Sequence, residues 1–195
     1  MRTTTVEHDR APVEHFERLA SESADPWDYE GSEYEQAKYR RTLAALPQRT
    51  GRTLELGCSV GVFTAMLAPR CESLLAVDFS PTALEHARRR VGGLANVELA
   101  ECRLPEGTPA GPFETIVCAE ILYYWSAALV GEGLRRVEGA LAPGGSLVAV
   151  HWRGSDPRRE LNGDAVHRIL REESRLHWRG GARTPDYLLD RWEAP

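Results

Sequence analysis

Lysine is all but missing from this chain: among 24 basic residues, Lys38 is the only lysine. Positive charge is in deficit too, with a formal net charge of -5 at pH 7. Proteins that grip a nucleic-acid backbone show a basic stripe. None is legible here, so no nucleic-acid partner is expected. The one arginine run, Arg88 to Arg90, closes an expected helix, where cations complement the helix dipole. No segment approaches the ~20 apolar residues of a membrane span. The opening MRTTTVEHDRAP has no hydrophobic region after its charges, so neither a secretory signal nor a membrane partner is expected, and a cytoplasmic location follows. The four cysteines, Cys58, Cys71, Cys102 and Cys118, form no CxxC and no metal-ligand spacing. Neither a disulfide nor a metal site is expected. Internal repeats and low-complexity segments are absent, and 195 residues suit one domain with a substantial core.

What is present concentrates in Leu54 to Thr64, LELGCSVGVFT. An apolar run carrying Glu55 meets a loop with Gly57 and Gly61, then a helix-like segment. Asp78 closes the next apolar run, SLLAVD. Glycines let a ligand approach the backbone closely. An acid at the end of the second strand can accept both hydrogens of a ribose diol, and Glu55 offers negative charge beside an ammonium or sulfonium. The pattern therefore suits a nucleoside with a cationic tail. A dinucleotide fingerprint would need glycine where Ser59 and Val62 stand, which disfavours a nicotinamide oxidoreductase.

From Arg52 onward, strand and helix patterns alternate. Strands are expected at 52–56, 73–78, 96–100, 113–119 and 146–152, and helices at 60–69, 81–91 and 126–142. Ser80 serves as cap and Pro81 opens the first turn of the second of these helices. Pro143, Gly144 and Gly145 form a turn before SLVAVHW. Upstream, VEHFERLASES has helical spacing. Ser32 and Glu35 form a capping-box pattern for a helix that Pro47 stops after Leu46. After a helix over 164–174, RLHWRGG and DYLLDRWEA read as two strands around a turn. The fold expected is α/β, a single Rossmann-like domain with a parallel sheet covered on both faces.

Motif I, with Glu55, Gly57 and Gly61 in register, resembles that of class I S-adenosylmethionine methyltransferases. Further blocks, DPWDYEGSEYEQAKYRRTLAAL, LLAVDFSPTALEHARRR, FETIVCAEILYYW, GGSLVAVHW and GDAVH, make almost the whole chain similar to the NodS-type N-methyltransferases. That family methylates an amino sugar of nodulation signals. The resemblance implies a seven-stranded, mostly parallel sheet with a C-terminal antiparallel hairpin, and S-adenosylmethionine as cofactor. It also implies a helical lid over residues 1–50 and a cofactor-binding core over 51–195. Carried over by position, Glu55, Gly57, Cys58 and Gly61 line the methionine half of the cofactor. Asp78 holds the ribose and Phe79 lies against the adenine. The segment after the third strand, including Arg103 and Leu104, meets the adenine edge, although an arginine cannot accept from the adenine amino group. Trp27, Tyr34 and Lys38 belong to the lid, with Lys38 able to meet the cofactor carboxylate. Glu120 contacts either the cofactor or the acceptor.

Methyl transfer from a sulfonium is an in-line displacement, so alignment is the main task, and an amine acceptor must also be neutral to attack. His151 at a strand end is the candidate base, with an ordinary pKa of about 6.5. Tyr124 is the candidate for orienting the acceptor. Tyr123, Tyr124, Trp125 and Trp152 suit a sugar face or a cation. The leading expectation is a methyltransferase acting on a small molecule, most readily the amine of an amino sugar. An O-methyltransferase and a non-catalytic cofactor-binding module are the alternatives.

Overall fold

The middle of the sheet is built from short runs that are largely apolar on both faces, the signature of strands covered by helices on either side. A computed structural model describes residues 13–195; the part of the expected 1–50 segment that falls on residues 1–12 lies outside the described residues. In chain order come α1 (Val13–Glu22), α2 (Glu33–Ala45), β1 (Arg52–Leu56), α3 (Val62–Leu67), β2 (Ser73–Asp78), α4 (Pro81–Val91) and β3 (Val97–Glu101). They are followed by β4 (Phe113–Ala119), α5 (Ala127–Ala140), β5 (Leu141–Trp152), α6 (Gly163–Glu173), β6 (His177–Arg183) and β7 (Tyr187–Glu193). Single 3-10 turns occupy Ala68–Arg70 and Leu122–Tyr124. The seven strands lie in the order β3-β2-β1-β4-β5-β7-β6. β1 to β5 run parallel, while β7 is antiparallel to β5 and to β6. This is the seven-stranded α/β architecture that the alternation and the resemblance imply.

Residues on the two faces of the central strands supply two cores. Leu54, Leu56, Ile116 and Cys118 pack with Leu134 of α5 and Leu170 of α6. Val117 and Val148 point the other way, onto Tyr39 of α2 and Phe63 and Leu67 of α3. Among the described residues no helix is long and apolar enough to cross a membrane.

Several boundaries depart from the sequence expectations for identifiable reasons. The helix expected at 60–69 begins only at Val62, because Gly61 is its N-cap in a left-handed conformation (φ +80°), and it tightens to a 3-10 turn at Ala68. The helix expected at 126–142 stops at Ala140. Leu141 already pairs with Phe113, so β5 includes the Pro-Gly-Gly segment and the register shifts there. β3 sits one residue later than expected. Only half of the capping box forms. Ser32 Oγ accepts from Glu35 N–H (3.3 Å), but the Glu35 carboxylate turns to Lys38 instead of back to the cap. α2 ends before Pro47, with Leu46 extended as a residue preceding proline should be.

The N-terminal segment is fastened to α4. Thr82 Oγ1 donates to Glu17 Oε2 (2.7 Å), His86 Nε2 lies 3.1 Å from the Ala20 carbonyl, and Arg90 pairs with Glu30 at 2.9 Å. The helical N-terminal segment therefore covers the C-terminal ends of the strands. The strand order reverses there, since the chain moves outward from β1 to β2 and β3 and then returns to β4 on the other side of β1, and open α/β sheets place ligands at such a switch.

Candidate functional site

The loop after β1 is built from backbone. Gly57 (φ +76°), Ser59 (φ +49°) and Gly61 (φ +80°) all adopt left-handed conformations, which only glycine takes without strain. Gly57 and Cys58 N–H both donate to the Val77 carbonyl (2.8 and 3.0 Å), tying the loop to β2. Asp78, at the end of β2, accepts from Ser59 N–H (2.8 Å) and Ser80 N–H (3.0 Å). Burial pushes its carboxyl up, while these amides and that of Phe79 act against the rise. A β-carbon at Gly57 would come within 2.8 Å of Ile121 Cδ1. One at Gly61 would come within 2.9 Å of Ala87 Cβ on α4. Gly61 thus serves a helix contact.

Above this loop lies a cavity of about 360 Å³, within the range of small-molecule sites. Gly57, Ser59, Asp78, Phe79, Arg103 and Leu104 form one end. Glu120, Tyr123, Tyr124, Trp152 and Arg159 form the other. Trp27, Tyr34 and Lys38 enter from the N-terminal segment. Phe16 of α1 roofs the cavity, its ring centroid 4.9 Å from that of Tyr124, 5.7 Å from Phe79 and 6.4 Å from Trp27.

The single lysine is spoken for. Lys38 is only 2% exposed, and its Nζ lies 2.5 Å from Glu120 Oε1 and 2.9 Å from Glu35 Oε2. Burial works against the ammonium, but the Glu120 and Glu35 carboxylates outweigh it and raise the lysine pKa. Lys38, expected to offer its charge to a cofactor carboxylate, lines the cavity with its ammonium already held by two carboxylates of this chain. Glu120 is equally committed. It sits at φ +55°, and its Oε2 accepts from Tyr123 Oη (2.6 Å) and from Trp152 N–H (2.8 Å). One carboxylate thus joins α2, the end of β4, the 122–124 turn and the end of β5. Arg159 completes this wall, its guanidinium 4.5 Å from the Tyr123 ring centroid and 4.3 Å from that of Tyr124, with Nη2 donating to Tyr124 Oη (3.2 Å).

Four expected site residues do not line the cavity. Glu55 is 2% exposed and sits beneath the loop, between Thr64 and Asp78; burial raises its carboxyl to about 7, with the Thr64 hydroxyl acting against this. Cys58 is buried, and its backbone is what the loop uses. Gly61 faces Ala87. His151, expected as the base, is fully buried; its Nε2 accepts from Leu122 N–H (3.2 Å) and its Nδ1 faces His167 Nε2 (3.1 Å). Neither ring nitrogen is available to an acceptor, which corrects its assignment as the proton acceptor. Sequence reasoning missed Phe16, Tyr29, Glu35, Cys102 and Arg159 on the cavity wall. Phe16 at a helical apolar position was a visible signal; Arg159, in a polar loop, gave none.

No group of three or more His, Cys, Asp or Glu that could hold a metal ion occurs among the described residues. A nucleoside cofactor does fit. Tyr34 Oη, on the cavity wall, is buried with no hydrogen-bond partner. An unpaired buried polar atom is costly, and a ligand bearing hydroxyl groups supplies what it lacks.

Comparison with known proteins agrees. The family model for Nodulation protein S (NodS) matches residues 11–155. A nodulation protein S of Bradyrhizobium diazoefficiens is 31% identical over 182 residues, covering 88% of this chain and 87% of its own. Among solved structures, N-methyltransferase NodS from Bradyrhizobium japonicum WM9, in complex with S-adenosyl-L-homocysteine, superposes with a TM-score of 0.83 at 26% identity, over 93% of this chain and 97% of that one. A putative methyltransferase from Pseudomonas syringae is 39% identical with a TM-score of 0.72, over 82% and 98%.

Proposed function

This chain belongs to the NodS family and is a methyltransferase that uses S-adenosylmethionine, and on that premise we propose that its acceptor is the amine of an amino sugar or a related small metabolite. The observation that carries this reading is the makeup of the acceptor wall. Among the described residues that line the cavity there is no histidine, the Glu35 and Glu120 carboxylates are both held by Lys38, and the wall opposite Asp78 is largely aromatic. A hydroxyl acceptor needs a base to take its proton in the transition state. An amine needs only to enter neutral, and desolvation against aromatic rings lowers its pKa.

S-adenosylmethionine supplies a methyl group already activated on a sulfonium. This chain's residues bind, orient and exclude water. Asp78, held by two backbone amides, accepts from the ribose hydroxyls. Phe79 flanks the adenine, with the backbone near Arg103 and Leu104 at its edge. Gly57 and Ser59 present the loop to the cofactor, while Trp27, Tyr34 and Phe16 close over it as a lid formed by the N-terminal segment. Tyr123, Tyr124 and Trp152 seat the sugar face, and Tyr124 orients the acceptor. Such alignment alone lowers a barrier by roughly 7–11 kcal/mol.

The test is mass spectrometry of the protein with S-adenosylmethionine against glucosamine, glucosamine oligosaccharides with a free amine, and simple phenols. One added methyl on the amine is expected. Methylation of phenols alone would replace this reading by O-methylation. Binding of S-adenosylhomocysteine without transfer to any of them would leave a cofactor-binding module.

A further inference from the structure

His151 belongs to a buried chain of hydrogen bonds that begins at the cavity wall and ends at the protein surface. Leu122 N–H, in the turn that carries Tyr123 and Tyr124, donates to His151 Nε2 at 3.2 Å. His151 Nδ1 lies 3.1 Å from His167 Nε2, and His167 Nδ1 lies 2.7 Å from Asp190 Oδ2. Asp190 also accepts from Arg171 Nη2 (2.6 Å), Arg171 Nε (3.1 Å) and Trp178 Nε1 (2.9 Å). Both imidazoles and the Asp190 side chain are at most 2% exposed, whereas Arg171 is about half exposed.

One end of this chain fixes every proton in it. A backbone amide can only donate, so His151 Nε2 must be an acceptor. A neutral imidazole then carries its proton on Nδ1, which donates to His167 Nε2. That makes His167 Nε2 an acceptor in turn and places its own proton on Nδ1, facing Asp190. A second proton on either ring would set two donors against each other at Leu122 or between the rings. Asp190, with three donors besides His167, is a fixed anion whose carboxyl lies below the usual range despite its burial, held there first by the His167 and Arg171 hydrogen bonds.

We propose that His151 is a positioning residue: together with His167 and Asp190 it locks the Leu122–Tyr124 turn, and with it the tyrosines of the acceptor wall, in a single pattern of Nδ1-protonated histidines. The turn needs such a lock. It leaves the strand through Glu120 at φ +55°, and Tyr123 is braced against the His151 ring with centroids 5.5 Å apart. Leu122 N–H is one of the donors at the start of this 3-10 turn, and His151 satisfies it from a strand 29 residues away.

Side-chain nitrogen NMR tests this with the protein alone, and it needs no acceptor, so failure of the amino-sugar reading leaves it intact. Two-bond nitrogen–proton correlation spectra at pH 7.5 are expected to show His151 and His167 as neutral Nδ1-protonated tautomers. Two substitutions then separate the ends of the ring. A glutamine amide reaches the place of Nε2, and an asparagine amide that of Nδ1. His151→Gln is expected to preserve protection of the Leu122 amide against hydrogen exchange and the Tyr124 ring shifts. His151→Asn is expected to speed that exchange by about fivefold to tenfold, the scale of one net hydrogen bond, and to move the Tyr124 shifts. Nε2-protonated histidines, or equal exchange at Leu122 in the two variants, would overturn the proposal. Should either variant fail to fold, the wild-type tautomers decide alone.

Discussion

The two ends of the cavity are made of different material. At the β1–β2 end the chain presents backbone: left-handed residues at Gly57, Ser59 and Gly61, and a carboxylate at Asp78 gripped by the amides of Ser59 and Ser80. At the β4–β5 end it presents interlocked side chains. Glu120 holds Lys38, Tyr123 and the Trp152 amide; Arg159 covers two tyrosines; His151 holds the turn between them. A backbone site is rigid and indifferent to most side chains, which suits a ligand common to many enzymes. A woven site changes when any thread changes, which suits the part that selects an acceptor.

The comparison predicts unequal sensitivity. The largest effect is expected for Lys38→Met, which leaves Glu35 and Glu120 facing each other without their cation. Breaking a buried pair from one side costs about 3–5 kcal/mol, read from denaturant unfolding of the protein. A loss below about 1 kcal/mol, the scale of a surface pair, would mean that the weave carries little. A smaller effect of opposite sign is expected beneath the backbone end. Burial raises Glu55 to about 7, above its unfolded value of about 4.3. The folded state therefore holds a proton that the unfolded state releases. Glu55 is least costly below pH 4, and its cost grows as pH rises through that window to a plateau above 7. Glu55→Gln should stabilise the protein by about 1–3 kcal/mol at pH 8, with the gain shrinking toward pH 5. Unfolding midpoints at the two pH values check the sign; a variant less stable than wild type at pH 8 would refute it.

The same contrast explains what the sequence could reveal. The parallel sheet was legible because β2, β4 and β5 are continuous apolar runs separated by capped helices. The backbone end was legible because its residues are neighbours: Gly57 and Asp78 belong to consecutive strands and their types are dictated locally. The woven end was not. Lys38 meets Glu120 across 82 residues, and His151 meets Leu122 across 29. Whether a carboxylate or an imidazole points into a cavity or into a neighbour is decided by packing that no spacing rule encodes. A strand-end position for His151 and a helix-face position for Lys38 therefore do not disclose the partners that each already holds. Gly61 erred in the other direction, since its need for φ +80° was local but the Ala87 contact that forbids a side chain was not.

The division between the two ends is tested most directly by calorimetric titration of S-adenosylhomocysteine into Asp78→Asn and Arg159→Gln. Asp78→Asn should weaken binding by about tenfold or more, the scale of hydrogen bonds to a charged group, whereas Arg159→Gln should stay within about threefold of wild type, a change of less than 1 kcal/mol. Equal losses in the two variants, or a larger loss in Arg159→Gln, would contradict a backbone end for the cofactor and a woven end for the acceptor.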